Sequence, residues 1–130
     1  MAGPERPAAA GGVVLVVDPD PDVRLLAMMR IRQLGWPAIG AATGEQAVRV
    51  VTDQPVVLLV VELELAGIDG WETLTKARQR AASPELPAIA LTIVDRDPTD
   101  RDAQTVAAYL TKPFRAADLR TAVTDAIGTP

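Results

Sequence analysis

Two apolar runs that each stop on an acid constrain the fold more than any other feature of this chain. Val13-Val14-Leu15-Val16-Val17 ends at Asp18, and Val56-Val57-Leu58-Leu59-Val60-Val61 ends at Glu62. Runs this short, β-branched and without polar alternation predict strands buried on both faces of a parallel sheet. Each then delivers a carboxylate at its carboxyl end.

The segments between and after these runs complete an alternating pattern. Asp20-Pro21 is an N-cap and first-turn pair opening a helix with Val23, Leu26, Ala27, Met29, Arg30 and Leu34 on its inner face, stopped by Gly35. Ala38 to Ala42 forms a weak second strand. Thr43 caps a second helix with Ala47, Val48, Val50 and Val51 inward, ending before Pro55. Asp69-Gly70 opens a third helix carrying Trp71, Leu74 and Ala77. Pro87 to Leu91 is a fourth strand finishing at Thr92, and Ala107 to Leu110 a fifth, followed by Lys112-Pro113 and a last helix with Leu119, Val123 and Ile127, closed by Gly128. The charged stretch from Asp95 to Asp102 leaves only Ala103, Val106 and Ala107 for an apolar face, so the fourth helix is expected to be short or mobile.

Five strands alternating with helices predict one doubly wound parallel sheet with helices on both faces and a ligand crevice at the carboxyl ends of the strands. Asp18, Glu62, Thr92 and Lys112 all gather at that edge. The expected organisation is a flexible Pro/Ala/Gly-rich tail over residues 1–12 and a single domain over residues 13–128.

Composition removes whole classes of chemistry. With no cysteine and no histidine, the chain has no disulfide, thiolate metal site, catalytic thiol or phosphohistidine of its own. It lacks a phosphate-cradling Gly-x-x-x-x-Gly-Lys loop, and the reading is of a protein that is not an enzyme. A net charge of -4 with acids and bases interspersed offers no basic stripe for nucleic acid. No apolar run reaches membrane length and no secretory signal opens the chain, so a cytoplasmic protein is expected.

Leu15-Val16-Val17-Asp18, Gly67-Ile68-Asp69-Gly70, Ala90-Leu91-Thr92 and Tyr109-Leu110-Thr111-Lys112-Pro113-Phe114 resemble, in order and spacing, the landmark segments of bacterial response-regulator receiver domains of the chemotaxis-regulator type. The resemblance runs from Val13 to Gly128 and implies a flavodoxin-like strand order of 2-1-3-4-5. In that family two adjacent acids after strand one and an aspartate after strand three hold Mg²⁺, and that aspartate accepts a phosphoryl group from a histidine kinase. The resemblance makes Asp18 the first acid, Thr92 and Lys112 the phosphoryl contacts, and Tyr109 the switch aromatic.

Two departures strike the chemistry itself. Pro19 stands where the second acid belongs and offers no side-chain oxygen, so Mg²⁺ binding is expected to be lost or weak, with Asp18, Asp20 and Glu62 as weak metal candidates. Glu62 stands in the phosphoacceptor position, where its extra methylene moves the carboxylate by roughly 1 Å, a misplacement that can cost on the order of 100-fold in rate. The longer arm instead aims a fixed charge at Lys112 and Thr92, as a partial phosphoryl mimic or as a plain structural ion pair. Asp20, directly before Pro21, reads most simply as a helix cap, and Glu64 and Asp69 as loop and helix-start acids.

The expected function is that of an atypical receiver, a pseudo-receiver, binding a protein partner or itself through the fourth helix, fifth strand and fifth helix, independently of phosphate. A histidine kinase or a downstream regulator is the partner class the resemblance implies. The alternatives are a residual phosphoacceptor with weak divalent-metal binding and a small-molecule sensor using the acidic pocket.

Overall fold

In a computed structural model, which describes residues 12–81, 84–94 and 105–130, the chain alternates strands and helices: β1 (Val13–Val17), α1 (Pro21–Gln33), β2 (Ala38–Ala41), α2 (Gly44–Asp53), β3 (Val56–Glu62), α3 (Gly70–Arg80), β4 (Ala88–Thr92), β5 (Ala108–Thr111) and α4 (Ala116–Ile127). The five strands form one parallel sheet in the order β2-β1-β3-β4-β5. This is the doubly wound, flavodoxin-like architecture expected. The tail expected over residues 1–12 lies outside the described residues except for Gly12, as does the stretch from Asp95 to Asp102 expected to hold a short fourth helix. The expected fifth helix is therefore α4 here.

Alternation along each strand splits the interior into two cores. Val14, Val16, Leu58, Val60, Ile89 and Leu91 face α1 and α4, where they meet Ala27, Ile31, Leu119 and Val123. Leu15, Val17, Leu59 and Val61 face α2 and α3, where they meet Ala47, Val51, Leu74 and Ala77. The interiors of the central strands β1, β3 and β4 are buried on both sides, which is why they contain no polar residue before their last position, whereas the edge strands β2 and β5 are partly exposed.

The helix signals act where the sequence places them. The Asp20 carboxylate accepts from the Asp22 and Val23 amides, Thr43 Oγ1 accepts from Gln46 N, and Asp69 Oδ1 accepts from Glu72 N at 2.8 Å. Each satisfies an otherwise orphaned donor of the first helical turn. Gly35 and Gly128 take positive φ just past the ends of α1 and α4. Trp36 is buried at the turn into β2, its Nε1–H donating to Gly128 O at 3.1 Å and tying α1 to the end of α4.

One expected face is corrected. The sequence pattern puts Leu26, Met29 and Arg30 on the inner face of α1 together with Ala27; Ala27 is buried as expected and is joined by Ile31, but Leu26 and Met29 are each 48% exposed and Arg30 is exposed too. The helix is apolar on both sides, so hydrophobic spacing alone does not choose between them.

Candidate functional site

Asp18, Glu62, Thr92 and Lys112 meet at the carboxyl edge of the sheet, as expected from strands that end on polar residues. β1, β3 and β4 are adjacent central strands, so their last residues are neighbours by topology. Lys112 follows β5 and is anchored by its own amide, which donates to Thr92 O at 2.7 Å. Asp18, Glu62 and Thr92 are all buried. Gly70 lets α3 begin hard against this edge, since a Cβ there would lie 2.5 Å from Glu62 O and 2.6 Å from Leu63 Cα.

The two acids are bound in the same way. Asp18 Oδ1 accepts from Asp20 N at 2.9 Å while its Oδ2 takes the Lys112 ammonium at 2.6 Å. Glu62 Oε2 accepts from Glu64 N at 2.9 Å while its Oε1 takes the same ammonium in a second short contact. Each carboxylate thus spends one oxygen on the amide two residues downstream and the other on Lys112. Burial alone would lower the lysine pKa, but hydrogen bonds and charge from Asp18 and Glu62 outweigh it and hold the group above the ordinary lysine value. The ammonium stays charged and neutralises part of a buried acidic pair.

Thr92 is engaged elsewhere. Its hydroxyl donates to Glu64 Oε1 at 3.1 Å and accepts from Val94 N at 3.1 Å. The expectation that Glu62 reaches toward both Lys112 and Thr92 is therefore corrected: Glu62 spends its oxygens on Lys112 and Glu64 N, and Glu64 supplies the carboxylate at Thr92. The sequence reads Glu64 as a loop acid only. The available signal is the repeated acid-x-acid spacing, Asp18-Pro19-Asp20 after β1 and Glu62-Leu63-Glu64 after β3. In both the middle residue carries no polar side chain and the third closes the first carboxylate with its amide.

Pro19 contributes no side-chain oxygen and the Asp20 carboxylate is turned onto the α1 amides. Among the described residues no group of three or more acids is placed to hold a metal ion.

Tyr109 lies on the edge strand β5 with its ring edge-on to Trp71 of α3, the centroids 6.3 Å apart and the planes at 77°. Its hydroxyl is shielded from solvent. Trp71 itself packs against the core under α2 and α3.

Comparison with known proteins agrees with this architecture. A family model described as the response regulator receiver domain matches residues 14–124. The chain is 33% identical over 109 residues to an uncharacterized 14.6 kDa protein of Leptolyngbya boryana, covering 82% of each chain. It is 32% identical over 118 residues to a probable chemotaxis protein CheY of Rhizobium etli, covering 88% of this chain and 92% of that one. It is 29% identical to the transcriptional regulatory protein GlrR of Escherichia coli, of whose length it spans only 26%. Among solved structures, the Vibrio cholerae chemotaxis protein CheY4 superposes with a TM-score of 0.80 at 18% identity, covering 87% of this chain and 96% of that one, a likeness of fold. The receiver domain of the sensor histidine kinase PA1611 from Pseudomonas aeruginosa, solved with a magnesium ion in its active-site cleft, superposes with a TM-score of 0.75 at 26% identity, covering 91% and 98%. Among the described residues no helix is long and apolar enough to cross a membrane.

Proposed function

The chain belongs to the response regulator receiver family of signal transduction, and from that premise we propose that it is a pseudo-receiver, which engages a protein partner without being phosphorylated and performs no turnover of its own. The observation that carries this reading is the closure of its acidic pocket from within. Every oxygen of Asp18 and Glu62 accepts a hydrogen bond, two from the Lys112 ammonium and two from backbone amides. A phosphoryl group arriving at Glu62 would have to displace that ammonium from the nucleophilic carboxylate without help from a metal.

The residues present do not fit the Mg²⁺ that the family uses. Mg²⁺ demands near-octahedral oxygen ligation, and this pocket offers a proline at position 19 and an Asp20 carboxylate committed to a helix cap. Two glutamates instead supply negative charge to the groups that would contact a phosphoryl, Glu62 at Lys112 and Glu64 at Thr92. Together they carry about two charges, comparable to the roughly 1.5 to 2 of a phosphoryl group at neutral pH. This favours fixed mimicry over an isolated structural ion pair.

The partner face in this reading is the open side of β5 with α4. There a groove runs between Tyr109, Thr111 and Phe114 on one side and Asp118, Thr121 and Asp125 on the other. Among the described residues β5 is an edge strand with no strand beyond it.

The test is intact-mass analysis after incubation with acetyl phosphate and Mg²⁺, with Trp71 fluorescence followed during the metal titration. The wild-type chain should gain no phosphoryl mass and show no metal response up to millimolar Mg²⁺. Pro19→Asp combined with Glu62→Asp should restore both. Phosphorylation of the wild-type chain at Glu62 would refute the proposal.

A further inference from the structure

A further apolar surface adjoins the acidic pocket and the β5 face. Leu25 (53% exposed), Leu26 and Met29 project from the outer side of α1, and Ile93 (68%) and Val94 (53%) from the segment after β4. Leu26 and Ile93 share a largely apolar groove of about 340 Å³ with Val23, Lys112, Pro113 and Phe114. Single exposed apolar residues need no explanation, but a contiguous group of large ones marks a surface that is covered in use.

Charge on α1 indicates what covers it. The helix carries Asp22 in its first turn and Arg30 and Arg32 in its last. Arg32 donates to Ala38 O and Arg24 to Asp18 O, so both are turned toward the body of the domain. Asp22 and Arg30 are exposed on the same side as Leu26. They flank Leu26 symmetrically at four residues on either side, or roughly 6 Å along the axis. A second α1 laid antiparallel across the first, with the two-fold axis at Leu26, places each Asp22 opposite the other chain's Arg30. It also aligns the helix dipoles favourably, sets Leu26 against its own counterpart and lays Met29 toward Val23 of the other copy. This is the self-complementary arrangement a two-fold interface requires.

We infer that a second copy of this chain covers this surface, through an antiparallel α1 contact centred on Leu26. The groove beside Leu26 shares Phe114 with the β5 and α4 face, so the contact is tested apart from the partner binding proposed above, through Asp22, Leu26 and Arg30 of α1, which that face does not use.

Sedimentation velocity on the whole chain, from micromolar to millimolar concentration, reads the outcome directly. A concentration-dependent dimer is expected. Leu26→Glu, on an exposed position that leaves both cores intact, should raise its dissociation constant on the order of 100-fold, since the residue is lost from both sides of the two-fold. Asp22→Arg alone and Arg30→Asp alone should each weaken the dimer, and the two together in one chain should restore it, because the exchanged charges again face each other. Unchanged circular dichroism and thermal midpoints in these variants exclude unfolding as the cause. A wild-type chain that stays monomeric throughout overturns the inference. So does a dimer that ignores the charge exchange, which would place the contact on another face.

Discussion

Lys112 concentrates the chemistry of the site in one ammonium shared by two buried carboxylates. Removing it as Lys112→Met leaves both acids buried without a cation, a change that costs about 3–5 kcal/mol in comparable settings and should appear as a lowered urea midpoint. Its titration gives a finer test. Because the folded pKa is raised above the unfolded value of 10.5, the folded chain keeps this proton longer. The lysine's contribution to stability is therefore complete below pH 10.5 and lost as pH rises through the folded value. Lys112→Arg keeps its charge across that range, so the gap in unfolding free energy between the wild-type chain and the Lys112→Arg variant should narrow or reverse above pH 10.5. Parallel curves for the two proteins would show that the ammonium is not held as described. Asp18, Glu62, Thr92 and Lys112 are legible in the sequence because strand ends bring distant residues together whatever the loops do. The partnership of Glu64 with Thr92 is not, because it depends on how the loop after β3 folds back on itself.

At the level of elements, capping signals are the most readable part of the chain and helix faces the least. A cap is a local event: an oxygen at Asp20, Thr43 or Asp69 satisfies amides two or three residues ahead, and nothing distant decides it. Asp20 also permits a clean separation of roles. Asp20→Ala should lower stability by about 1 kcal/mol, while Asp20→Asn, which retains the capping oxygen but no charge, should lose little. Chemical denaturation of the two variants checks this. A comparable loss in both would mean that the charge matters, through a bound cation or the helix dipole, rather than the cap. The inner face of α1, in contrast, is set by which of two apolar stripes finds the sheet. Ala27 and Ile31 pack with α4 and against Val14 and Val16, and Leu26 and Met29 are left outside.

The molecule as a whole is readable because a doubly buried strand permits few alternatives: five apolar strands alternating with helices admit little beyond a parallel sheet covered on both sides. The same property ties the two cores together. Neighbouring residues of one strand serve opposite cores, Val14 and Val16 facing one and Leu15 and Val17 the other. Neither core can therefore lose its strands while the other keeps them. The two tryptophans report on the two sides, Trp36 from the core under α1 and α4 and Trp71 from the edge of the core under α2 and α3. Trp36→Phe and Trp71→Phe each leave a single emitter. A chain of this size is expected to unfold in one cooperative step, so within each variant the urea transition followed by tryptophan emission should coincide with that followed by far-ultraviolet circular dichroism, in midpoint and in slope. A Trp71 signal that melts ahead of the helical signal in Trp36→Phe would mean that α2 and α3 peel from an intact sheet, and that the sheet does not couple its two faces.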